Sequence, residues 1–123
     1  MDFVLGFNPK NNKVYNPLQS ISHEFPDLSL GLTKNPFIKR VPTIAVVEVK
    51  PYGGDEAEGY TQLVIGLASL LERHRQLQKV RGAETQPLLP VIGVLVIGHT
   101  WSIYVGFRAY WGENERTVRK IFL

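Results

Sequence analysis

The sequence predicts an α/β (α+β mixed) fold: a mixed β-sheet with one main helix packed on it. Three observations predict it. Apolar residues recur at three- and four-residue spacing across Glu56–Val80, as on an amphipathic helix. The run Thr43–Lys50 is nearly continuous in apolar residues, as expected of a central strand covered on both faces. Further on, two strand patterns flank Gly98-His99, the arrangement of a hairpin.

Taken in order, "DFVLGF" (Asp2–Phe7) reads as a first strand by its aromatic and branched content, and the polar "NPKNNK" after it as a turn. From Val14 to Arg40 the chain reads as irregular, punctuated by Pro17, Pro26 and Pro36, with "SISHEF" (Ser20–Phe25) as a short extended piece. Thr43–Lys50 is the next strand, ending at Pro51 and a Gly53-Gly54 turn. In the helix, Leu63, Leu67, Leu70, His74 and Leu77 form the apolar stripe, with acids at the start, bases in the last turns and Gly82 as the stop. In the hairpin, Trp101, Ile103, Val105 and Phe107 alternate with Ser102, Tyr104, Gly106 and Arg108, which reads as Trp101 in the core. Tyr104 then lines the opposite, substrate side or covers the sheet. "TVRKIFL" is a last short strand.

The bulk numbers bound what such a domain does. With 123 residues and 44% hydrophobic content, the chain is one domain with a modest core. The apolar runs Leu88–Ile97 and Leu63–Leu71 are too short to span a bilayer, and no leader of the secretory type opens the chain. There are no cysteines, which excludes disulfides, thiolate zinc sites and a cysteine nucleophile, and suits an intracellular home in nucleus or cytoplasm. The net charge of +3 permits contact with phosphates without demanding it.

The chemistry concentrates at the end of the Thr43–Lys50 run. Two positions along a strand share a face, so Glu48 and Lys50 emerge together beside a glycine turn, with Val49 turned the other way. The carboxylate suits a hard cation, and the ammonium suits a water nucleophile or the charge that builds on a phosphate. A metal needs a second carboxylate. Pro26-Asp27 has no strand pattern leading into it and is explained as a turn; Asp2 opens a strand able to pair beside Thr43–Lys50, and is preferred.

Other residues read blandly. His74 is a packed histidine on the helix, and His23 and His99 are isolated, with no zinc spacing. Ser69 lacks an elbow motif, Gly53-Gly54 lacks a phosphate-loop pattern, and the Arg73–Arg81 bases read as a solvated helix end.

With these pieces in place, the chain resembles the PD-(D/E)xK nuclease superfamily, and most of all its fungal nuclease-like domains. The matching pieces are "DFVLGF", "SISHEF", "VPTIAVVEVKPYGGDEAEGYTQL" and "LLPVIGVLVIGHTWSIYVGF". Each is short; their order across nearly the whole chain carries the resemblance. It implies a restriction-endonuclease-like domain over residues 1–123 that hydrolyses phosphodiester bonds in DNA or RNA with Mg²⁺ or Mn²⁺. Carried over by motif, Asp2 and Glu48 hold the metal, Lys50 assists the attacking water, and Gln62, opening the following helix, turns toward the site. One departure stands out. The family begins with a helix before the Asp strand, and here that helix is missing, either lost or left behind in a longer parent protein. A bare sheet face would follow, to be covered by an oligomer or by the parent. The alternative function is therefore an inactive nuclease fold kept as a binding or interaction module.

Overall fold

Along the chain run β1 (Phe3–Gly6), α1 (Asn12–Glu24), β2 (Thr43–Lys50), α2 (Glu56–Val80), β3 (Val91–Ile97), β4 (Thr100–Arg108) and β5 (Arg116–Ile121). The computed structural model describes residues 3–6, 8, 10, 12–24, 32, 43–83, 85–108 and 116–121. The strands form one five-stranded sheet in the order β1-β2-β3-β4-β5. β2 and β3 are parallel, and the other neighbours are antiparallel. A parallel pair requires a crossover of about a dozen residues or more, which α2 supplies. The predicted α+β architecture, a mixed sheet under one main helix, is therefore the one observed.

α2 starts where local chemistry says it should. Asp55 caps it, its carboxylate accepting from the Glu58 N–H at 3.1 Å. At the far end Gly82, at φ +69°, donates to the Lys79 carbonyl and turns the chain out of the helix. Gly59, Leu63, Gly66, Leu67, Leu70 and Leu71 form its buried stripe. These leucines meet Val46, Val91, Leu95 and Tyr104 of the sheet to make the core. Each fully buried leucine contributes roughly 1.5–3 kcal/mol. Gly93 lets the helix come close: a Cβ there would lie 2.9 Å from Leu67 Cδ1 and 3.0 Å from Leu63 Cδ1. Across the edge, the Glu72 carboxylate meets Arg108 of β4 at 3.5 Å and Arg75 at 2.7 Å. His74 packs as expected, its Nε2 3.3 Å from the Thr43 carbonyl oxygen; a carbonyl only accepts, so Nε2 carries a proton.

Three expectations fail. The stretch read as irregular, with "SISHEF" extended, is helical over Asn12–Glu24. Pro17 punctuates the sequence locally, but in the second turn it forgoes one backbone bond and the helix continues through it to Glu24. Val14, Leu18 and Ile21 recur with helical period through it. This helix follows β1, so it is not the one the resemblance places before the first strand.

Trp101 is not in the core. It is 71% exposed, while Tyr104 is 3% exposed. The alternation was read correctly and the face wrongly. The pairing rows Val46–Gly93–Tyr104 and Glu48–Leu95–Ser102 lie under α2, and the rows Val47–Val94–Ile103 and Val49–Val96–Trp101 lie on the reverse. What selects the Tyr104 face is Gly106, where a Cβ would lie 3.4 Å from Leu67 Cβ, so α2 passes directly over it. For the same reason β2 is not evenly covered: Val46 is fully buried while Val49 is 40% exposed.

Candidate functional site

The site lies at the carboxyl end of β2, where the parallel pair β2–β3 ends beneath the first turns of α2. Glu48 pairs in register with Leu95 and Lys50 with Ile97, and both side chains point to the α2 face. Glu48 is 1% exposed, the only carboxylate among the buried residues described. A buried charge is tolerated only beside a compensating one. Lys50 supplies it, with Nζ 3.6 Å from Glu48 Oε1. The lysine is itself largely covered, its side chain 17% exposed.

Two backbone features hold the lysine there. After Lys50 the chain turns at once, with Gly54 N–H donating to the Pro51 carbonyl at 2.9 Å and Gly53 at φ +75°, a value that favours glycine. The Gly98 N–H donates to the Lys50 carbonyl at 3.0 Å, tying the end of β2 to the β3–β4 hairpin. Above, Gly59 leaves room for the aliphatic stem of Lys50: a Cβ there would lie 3.2 Å from Lys50 Cγ and 2.9 Å from Leu95 Cδ1. The stem therefore runs under the helix and delivers its ammonium to the helix's N-terminal side.

There it meets a residue that the motif reading missed. Glu58 Oε1 lies 3.4 Å from Lys50 Nζ and accepts from Gln62 Nε2 at 3.2 Å. Glu48, Lys50, Glu58 and Gln62 thus form one connected chain of polar groups. In the sequence Glu58 is one of two acids in the first turn of the helix. The available signal was its four-residue spacing from Gln62, which puts the two on one helix face.

Of the four residues expected at the site, Glu48, Lys50 and Gln62 are brought together, Gln62 through Glu58. Asp2, and the rejected Pro26-Asp27, lie outside the described residues. Among the described residues no group of three or more His, Cys, Asp or Glu gathers in the manner of a metal cage. The donors that meet Lys50 at the strand end, from Glu48 and Glu58, are carboxylate oxygens, the chemistry that suits a hard divalent cation.

Near the other side of the α2 start, Tyr104 packs against Tyr60 with ring centroids 5.4 Å apart. Burial, with Glu56 and Tyr60 adding to it, raises the Tyr104 phenol above its ordinary 10.0. It remains a neutral part of the core.

Among the described residues, no helix is long and apolar enough to cross a membrane. No curated protein and no solved structure matches the chain. The family model of the PD-(D/E)XK nuclease superfamily matches residues 1–121. Nucleases of this superfamily generally use divalent metals, in keeping with an oxygen-donor site. A mixed sheet whose central strand ends in a buried glutamate and a lysine on one face, matched by that model along almost its whole length, places this chain in a family: it belongs to the PD-(D/E)XK nuclease superfamily.

Proposed function

We propose that this domain hydrolyses phosphodiester bonds in DNA or RNA with a divalent cation, Mg²⁺ or Mn²⁺. The observation that carries the reading is the buried Glu48 carboxylate with the Lys50 ammonium 3.6 Å away, both at the carboxyl end of β2. Asp2 is the second carboxylate of the reading. Its support is the motif, in which a carboxylate opens the strand beside the one that bears Glu48; β1, which follows Asp2 in the sequence, pairs antiparallel with β2.

Glu48, with Asp2 in this reading, would hold a divalent cation, which would supply Lewis-acid stabilisation of a phosphoryl oxygen and lower the pKa of a bound water. The protein's own groups do the rest. Glu48 is fixed by the strand and by the cover of α2, so its oxygens need no reorganisation to hold the cation. Lys50 presents a positive charge where the attacking water and the non-bridging phosphate oxygens gather, and offsets the negative charge that develops there. Gln62 offers its amide to orient the water or a phosphate oxygen.

Cleavage of single- and double-stranded DNA and RNA with Mg²⁺ or Mn²⁺, against a chelator control, tests the reading. Wild-type protein is expected to cleave at least one of them, and Glu48→Ala and Lys50→Ala to fail. Equal activity in all three proteins sinks it.

A second reading, a nuclease fold that serves as a binding or interaction module, draws on the face away from α2. There Phe3 is 61%, Val49 40% and Trp101 71% exposed. Calorimetry separates the two readings: Mg²⁺ heat that vanishes in Glu48→Ala counts against the module.

A further inference from the structure

Glu58 occupies the third helical position after the Asp55 cap, the place from which a glutamate ordinarily reaches back to the cap's own N–H. Here its carboxylate goes elsewhere. One oxygen, Oε1, takes the Lys50 ammonium at 3.4 Å and the Gln62 amide at 3.2 Å. The backbone of Glu58 is held independently, by its N–H to Asp55 Oδ1 at 3.1 Å. Its main chain thus serves the cap and its side chain serves the site.

The geometry points to Glu58 as a positioning residue that holds the Lys50 ammonium and the Gln62 amide together on the open side of Glu48. The inference rests on the hydrolase reading for its consequence, and on the contacts themselves for its geometry. Lysine and glutamine side chains are long and lose much rotamer freedom when fixed. A single carboxylate oxygen shared by both keeps them within one hydrogen-bond radius of a common point. Two donors converging on one oxygen also form the arrangement that receives an oxygen of a phosphodiester. Glu58 stays half-exposed, its side chain 56% accessible, so it can yield that point to substrate without unfolding the helix start.

The test uses the whole chain with Glu58→Ala, Glu58→Gln and, as a control for the helix dipole, Glu56→Ala. Loss of Glu58 is expected to lower kcat roughly tenfold to a hundredfold, as for other residues that orient a site from behind. KM and the heat of Mg²⁺ binding should change little. Glu58→Gln, which keeps an acceptor oxygen, should recover part of the rate, and Glu56→Ala should keep all of it. The Gln62 side-chain amide signals in NMR should move in Glu58→Ala and exchange faster with water. Wild-type kcat in Glu58→Ala overturns the inference, and so does an unmoved Gln62 signal. If the wild-type chain cleaves nothing, the hydrolase reading has failed, and the Gln62 signal alone decides whether Glu58 holds the pair.

Discussion

Lys50 Nζ lies 3.6 Å from Glu48 Oε1 on the face of β2 that α2 covers. Strand periodicity puts the two side chains on one face, and the helix turns a surface ion pair into a buried one. At an exposed site such a pair is worth only about 0–1 kcal/mol. Beneath a helix, desolvation of the two groups offsets much of their attraction, so the pair marks chemistry more than stability.

Replacing Glu48 by Gln keeps the volume and removes the charge. Calorimetry with Mg²⁺ should show the binding heat lost, and any nuclease activity should fall by at least about a hundredfold, the scale of losing a main electrostatic stabiliser. Circular dichroism should show the fold retained. Undiminished metal binding would move the cation site away from β2.

Gly59→Ala sets two effects against each other. Alanine improves helix propensity by about 1 kcal/mol. Its Cβ, however, would sit 2.9 Å from Leu95 Cδ1 and 3.2 Å from Lys50 Cγ. Overpacking of this kind typically costs about 1–3 kcal/mol, so urea melts should show a net loss of roughly 0–2 kcal/mol. Cleavage should suffer more than stability, because one of the two crowded groups is the Lys50 stem.

The two faces of the sheet predict opposite outcomes for two large residues. Leu67 is fully buried against Gly93, and Leu67→Ala should cost about 2–5 kcal/mol. Trp101, 71% exposed, should tolerate alanine within about 0.5 kcal/mol. Chemical denaturation of both variants checks the assignment; a Trp101→Ala loss comparable with Leu67→Ala would reverse it.

Tyr104 gives a pH dependence with a definite sign. Its phenol is raised above 10.0 by burial, with Glu56 and Tyr60 adding to it, so the folded chain keeps a proton that the unfolded chain releases near 10.0. The unfolded state binds fewer protons in that window, and stability falls as pH rises above about 10. The contribution is complete below 10.0 and lost as pH passes through the raised value. Urea melts of Tyr104→Phe should show a flatter alkaline limb than the wild type.

Much of the fold was legible because it rests on local periodicity. Glu56–Val80 shows a repeating apolar stripe and a cap at Asp55, and its helix needs no distant information. The Gly98-His99 hairpin likewise follows from turn chemistry, with Gly98 at φ +57° between paired Ile97 and Thr100. α1 was hidden because Pro17 argues locally against a helix that the rest of its ladder sustains.

The site divides in the same way. The residue types and spacing of Glu48, Lys50 and Gln62 were in the letters, because a two-residue step on a strand and the start of a helix are local facts. Two things were not. Alternation in β4 specifies two faces without saying which is buried; the passage of α2 over Gly106 and Gly93 chose Tyr104 over Trp101. Nor does any local pattern say that Glu58 meets Lys50, eight residues back across a turn. The sequence alone determined which groups share a face. The docking of α2 on the sheet decided which face became the core and which carboxylates came to flank the lysine, because burial and ion pairing depend on what packs from far along the chain.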